Sequence, residues 1–108
     1  MQKEQLDIIK NKIINSLKPI NAKKIILFGS YAYGTPTKDS DLDICIIEDN
    51  FLNKYKEKSK IRELLKDINI PKDIILTKND EYQFYKNEIN SVFNEIENKG
   101  EVLWQRSS

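Results

Sequence analysis

The sequence predicts a single α/β (α+β) domain, a mixed β-sheet flanked by helices. Three observations predict it. Some segments repeat apolar residues at helical spacing and others hold them in short unbroken runs, so both periods occur in one chain. A length of 108 residues suits one domain, taken as 1–108, and leaves little room for two. Hydrophobic residues make up 39% of the chain, enough for one compact core although 32% is charged.

Leu6, Ile9, Ile13 and Leu17 recur at helical spacing and predict an amphipathic helix that stops before Pro19, whose ring does not fit a helix interior. The run Lys24-Ile25-Ile26-Leu27-Phe28, stopped by Gly29, predicts a buried strand. Glycines, Pro36 and hydroxyl residues from Gly29 to Ser40 predict a turn-rich loop with one helical turn near Tyr31 to Tyr33. A second strand is expected over Leu42 to Ile47. Asp49 or Asn50 is expected to cap a helix carrying Tyr55, Ile61, Leu64, Leu65 and Ile68 on its apolar face. Asn69-Ile70-Pro71 breaks that helix, and Asp73 to Leu76 reads as a third strand.

Asn79 or Asp80 then opens a helical stretch, in one piece or two, with Tyr82, Tyr85, Ile89, Val92, Phe93 and Ile96 along one face. Gly100 suits a left-handed closing residue, and Val102-Leu103-Trp104 a short last strand. The whole reads as helix and strand in one pair of layers.

Composition narrows the function. Eighteen basic and 17 acidic residues leave a net charge of +1, too little for a broad grip on an extended nucleic acid. No apolar run approaches the ~20 residues of a membrane span, and Met1 to Lys18 is too charged for a signal peptide. A single cysteine, Cys45, permits no internal disulfide and fits a reducing cytoplasm. With no histidine in the chain, any chemistry runs on carboxylates, hydroxyls, lysines and backbone amides.

The stretch from Gly29 to Asp43 concentrates those groups. Asp41 and Asp43, two apart at the mouth of a strand, are expected to project from one face. Such close like charges call for a cation, and hard oxygen ligands suit Mg²⁺, which often completes its shell with substrate phosphates. Gly29 lets backbone approach a ligand, Ser30 offers a hydroxyl, and a following helical turn would aim free N–H groups at an anion. An anion seat beside a metal seat suits a nucleoside triphosphate. If the third strand lies beside the second, Asp73 completes an acidic triad able to hold two Mg²⁺ roughly 3.5–4 Å apart, the spacing of in-line displacement at phosphorus.

Gly29-Ser30, ten residues, then Asp41-x-Asp43 resembles the signature of the minimal nucleotidyltransferases of the DNA polymerase beta superfamily. The apolar strand ending in Phe28, Gly34 four residues after Ser30, Ser40 before Asp41, and Asp73 in Lys72-Asp73-Ile74-Ile75-Leu76 extend the likeness over most of the chain. The resemblance implies a polymerase-beta-like sheet with flanking helices and transfer of a nucleoside monophosphate, AMP from ATP, to a hydroxyl. Stand-alone members of this size resemble antitoxins that adenylylate a tyrosine of a HEPN-domain ribonuclease toxin. Carried over, Asp41 and Asp43 bind both metals, Asp73 binds one and accepts a proton, and Gly29 and Ser30 hold the triphosphate. The chain departs from the family where an arginine often stands between Ser30 and Gly34, having Tyr31-Ala32-Tyr33. Lys38 is the nearby positive charge that could serve instead.

Several of these features also admit plainer readings. Asp39, Asp41 and Asp43 mimic the start of an EF-hand loop, but its glycine and glutamate positions hold Ile44 and Asn50. Cys45, between Ile44 and Ile46, reads as a small buried apolar residue. Lys54, Lys56, Lys58 and Lys60 spread around a helix as a solvated surface, and Trp104 packs the C-terminal end. Some of Tyr82, Phe84 and Tyr85 would be free for a partner. Two alternatives to catalysis on a protein stay open. One is an antitoxin that masks its toxin by binding alone; the other is transfer to a small molecule, such as an aminoglycoside, or to an RNA end.

Overall fold

The computed structural model describes residues 2–107, so the two end residues of the expected 1–108 domain, Met1 and Ser108, lie outside the described residues. Helix α1 spans Lys3–Ser16, strand β1 Ala22–Phe28, the single turn α2 Ser30–Tyr33 and strand β2 Leu42–Glu48. Helix α3 (Lys54–Leu64), strand β3 (Lys72–Lys78), helices α4 (Asn79–Tyr85) and α5 (Val92–Lys99) and strand β4 (Glu101–Gln105) follow. The four strands form one mixed sheet in the order β3-β2-β1-β4. β1 runs antiparallel to β2 and β4, whereas β2 and β3 are parallel, as a strand–helix–strand crossover through α3 requires.

The sheet carries apolar side chains on both faces, and this corrects the expected pair of layers to three. Ile25, Leu27, Ile44, Ile46, Ile74 and Leu76 pack on one face against Ile13 of α1, Leu17 just after it, and Ile61 and Leu65 of the α3 segment. On the other face Ile26, Phe28, Cys45 and Ile47 pack against Tyr82 of α4 and Ile96 of α5. The runs in β1 and β2 are unbroken because alternate residues serve opposite cores. Burial pushes the Cys45 thiol up to about 12, so it is an inert core group, as read.

Several local expectations are revised. Helix α3 is capped by Asn53, whose side chain accepts from the Lys56 N–H at 3.0 Å; Asp49, expected there with Asn50, instead pairs with Arg106 and Lys23. The same helix ends at Leu64, so Ile68 reaches the core from the turn beyond it, and Tyr55 points to solvent. Asn79 opens α4, as expected, and Lys78 precedes it without a side-chain cap.

The last helical stretch is two helices, broken at a loop where Asn90 takes φ 76°, and this leaves Ile89 exposed off the expected stripe. Gly100 is not left-handed (φ −73°). It is needed for space, because a Cβ there would lie 2.5 Å from Ile96 O and 2.6 Å from Ile26 Cγ2.

Candidate active site

The site forms where β1 ends and β2 begins. Gly29 leaves β1 with φ 73° and ψ −160°, a conformation open essentially to glycine alone. Its backbone bends against Asp43 so closely that a Cβ would stand 2.0 Å from Asp43 Oδ2. The close approach predicted for Gly29 is therefore first of all to the protein's own carboxylate. The chain then winds into α2, where Ala32 and Tyr33 donate their N–H groups to Gly29 O at 3.0 and 3.1 Å. This leaves the N–H groups of Ser30 and Tyr31, as first residues of the turn, without an intrahelical acceptor. Tyr31 is buried in the core beneath them.

The loop back to β2 is held shape by local polar bonds. Thr37 N–H donates to Ser40 Oγ at 2.8 Å, and Ser40 N–H donates to Thr37 O at 3.1 Å. Leu42 N–H then donates to Pro71 O at 2.8 Å, tying the start of β2 to the start of β3. Asp41 sits just before β2 and is exposed, whereas Asp43 is inside the strand and half-buried. Asp41 thus lies one residue outside the strand that holds Asp43, and its charge still acts on Asp43.

Asp73 lies in β3 directly beside Asp43, Cα partner to Cα partner in the parallel ladder. Paired residues of neighbouring strands point to the same face, here the one that α4 and α5 cover. Burial raises the Asp43 pKa, and the negative fields of Asp73, then Asp41, then Glu95 add to it. Glu95, from α5, is thus a fourth carboxylate facing the site. Sequence reading passed over it because it is one of many charges on the polar side of a helix. Its position three residues after the α5 start is visible in the sequence, but the docking of α5 over the β2 end of the sheet is not.

Tyr33 is the second residue that sequence reading did not assign. Burial raises the Tyr33 hydroxyl, the field of Glu95 adds to this, and a backbone hydrogen bond at Gly29 opposes it. The segment where the family often has an arginine therefore directs a neutral hydroxyl between the Gly29 backbone and Glu95. Lys38 lies exposed on the loop.

Among the described residues no three acidic or sulfur side chains are drawn tightly enough together to hold a metal ion. Like-charge repulsion in a partly desolvated pocket opposes that convergence. The donor set itself is all oxygen and strongly negative, the composition that Mg²⁺ favours.

A family description, Nucleotidyltransferase domain, matches residues 10–98. The chain belongs to the nucleotidyltransferase domain family, and its activity is nucleotidyl transfer. It is 33% identical over 100 residues to Putative protein adenylyltransferase MJ0141 of Methanocaldococcus jannaschii, covering 90% of this chain and 96% of that protein. Its fold is shared with a chain of a toxin–antitoxin complex solved with AMP-PNP (TM-score 0.66, 24% identity, 90% of this chain and 73% of that one). It is also shared with a chain of a complex between a tri-AMPylated Shewanella oneidensis HEPN toxin and its MNT antitoxin (TM-score 0.61, 20% identity, 94% and 73% covered). No helix among the described residues is long and apolar enough to cross a membrane.

Proposed function

We propose that this chain is a Mg²⁺-dependent protein adenylyltransferase that moves AMP from ATP to a tyrosine hydroxyl of a HEPN-domain ribonuclease toxin, serving as its cytoplasmic antitoxin. The observation that carries the reading is the lateral pairing of Asp43 with Asp73 beside the glycine turn at Gly29. The acceptor and partner are suggested by the relatives, whose descriptions name protein adenylylation and a HEPN toxin.

In this reading Asp41 and Asp43 hold two Mg²⁺ and Asp73 holds one of them. When bound, the ions neutralise the triphosphate and make the attacking hydroxyl more acidic. Ser30, through its hydroxyl and the free N–H groups at the start of α2, holds the triphosphate tail. Gly29, lacking a side chain, keeps the space between that tail and Asp43 clear. In the same reading Asp73, exposed in β3, takes the proton of the incoming tyrosine. The tyrosine oxygen bonds to the α-phosphorus, the bond from that phosphorus to the bridging oxygen breaks, and pyrophosphate leaves.

Labelled ATP, Mg²⁺ and a HEPN-domain ribonuclease, sought in the reading frame beside this gene, form the test. Label should appear on a toxin tyrosine and vanish with Asp41→Asn combined with Asp43→Asn. Label that survives both substitutions rejects the reading. A second reading, an antitoxin that masks its toxin by binding alone, is favoured by Tyr31-Ala32-Tyr33, which stand where the family often has an arginine. Neutralisation that persists in the doubly substituted chain selects it. Pyrophosphate release with a small molecule or an RNA end, and none with the toxin, would move the acceptor instead.

A further inference from the structure

We propose that a cleft on the opposite face of the sheet receives an arginine side chain of a protein partner, with Glu48 and Glu57 as its carboxyl floor. The cleft is open to solvent, about 490 Å³ between the α1–β1 turn, the β2–α3 loop and α3, and it does not depend on the nucleotidyl-transfer site. Glu48 is the last residue of β2, five positions along from Asp43. Residues an odd number apart in a strand face opposite ways, so Glu48 lies with Ile44 and Ile46 on the α1–α3 side.

Only 2% of Glu48 is exposed, and its Oε2 has no hydrogen-bond partner among the described residues. Buried carboxyl groups are costly unless they are paired or hydrogen-bonded. The neighbour within hydrogen-bonding reach is another carboxyl, Glu57, from the first turn of α3. Burial, then Glu57, push the Glu48 pKa up to about 8, with Lys60 pulling the other way. A proton held between the two carboxyls removes charge but brings no donor from outside the pair.

Lys56 and Lys60 also line the cleft, yet neither forms an ion pair with Glu48 or Glu57 among the described residues. What the floor lacks is a cation with several donors in a plane. A guanidinium presents that fork to two carboxyl groups, where an ammonium offers a single point of charge. The walls fit the rest of the side chain, since Phe51 and Leu52 give an apolar surface for an arginine stem. Leu52 is fully exposed and Tyr55, beside it, nearly so, an apolar rim of the kind that protein interfaces cover. The lysines at the mouth repel a polybasic tail, so the occupant is one arginine presented by a folded or apolar-flanked segment.

The test is titration of the ¹⁵N-labelled full chain with acetyl-Leu-Arg-Leu-amide, followed by amide shifts. Saturable shifts confined to residues 48–60 are expected, with a millimolar Kd (about −4 kcal/mol for 1 mM). Because Glu48 must release its proton to pair, affinity should rise up to tenfold from pH 6.5 to 7.5. Glu48→Gln should weaken binding at least tenfold; if that variant does not fold, Glu57→Gln on the half-exposed helix face should weaken it at least fivefold. Equal shifts with the norleucine analogue, equal affinity for the lysine analogue, or binding insensitive to both pH and substitution would overturn the proposal. None of these outcomes bears on labelling of the toxin.

Discussion

Asp43 and Asp73 stand side by side across the parallel β2–β3 ladder, their carboxylates on one face although thirty positions separate them in the chain. Their closeness is unfavourable for folding, since burial and the Asp73 charge both raise the Asp43 pKa. A group that costs the fold stability and lies beside a glycine-only turn is a candidate for chemistry.

Asp43→Asn and Asp73→Asn should therefore separate activity from stability. Each is expected to lower nucleotidyl transfer at least about a hundredfold, by removing an oxygen ligand or the proton acceptor. The thermal midpoint of Asp43→Asn should stay level or rise, because a partly buried like charge is removed. Parallel labelling assays and melting curves check this, and a large fall in midpoint would contradict it.

Gly29→Ala should damage both properties. The alanine must hold φ 73°, and its Cβ would meet Asp43 Oδ2 at 2.0 Å. Strain of this kind costs roughly 1–3 kcal/mol. Adding Asp43→Ala removes the clash but leaves the strained backbone, so urea unfolding should show partial recovery of stability and no recovery of transfer.

Gly100→Ala separates space from conformation. Its backbone, at φ −73°, suits alanine, yet the new Cβ would press on Ile96 O and Ile26 Cγ2 at 2.5 and 2.6 Å. Overpacking of this sort costs about 1–3 kcal/mol. The denaturation midpoint should fall, with nucleotide labelling per folded molecule unchanged.

Glu48→Gln should change how stability depends on pH. The Glu48 pKa stands at 4.5 in an open chain and about 8 when folded. The folded state thus holds a proton that the unfolded state has lost between those values, so this contribution is complete below pH 4.5 and declines as pH rises through 8. The stability difference, native chain minus variant, should fall by up to about 1.4 kcal/mol per pH unit across that window. Urea unfolding at pH 5, 7 and 9 measures it, and a difference constant with pH would refute it.

Much of the fold was legible because its signals are local. Four strands appeared as apolar runs, and Gly29, Asp41 and Asp43 sit close enough in the chain for their spacing to place a turn beside carboxylates. Asp73 was legible as a strand residue, though only as a condition on where that strand lay. Glu95 and Tyr33 were not, because their relation to Asp43 depends on how α5 docks and how α2 folds back. The cap of α3 was misplaced for a similar reason: Asp49 can cap by chemistry, but Arg106 from the far end of the chain engages it first.

By itself the sequence determined which residues are apolar, where the backbone must turn, and which oxygen ligands are available, since each depends on side-chain chemistry within a few positions. Tertiary structure alone decided that one sheet serves two cores, that β3 runs parallel in register with β2, and that Glu48 ends buried against Glu57. Those outcomes depend on burying the most apolar area over the whole chain at once, a sum to which no single segment carries the answer.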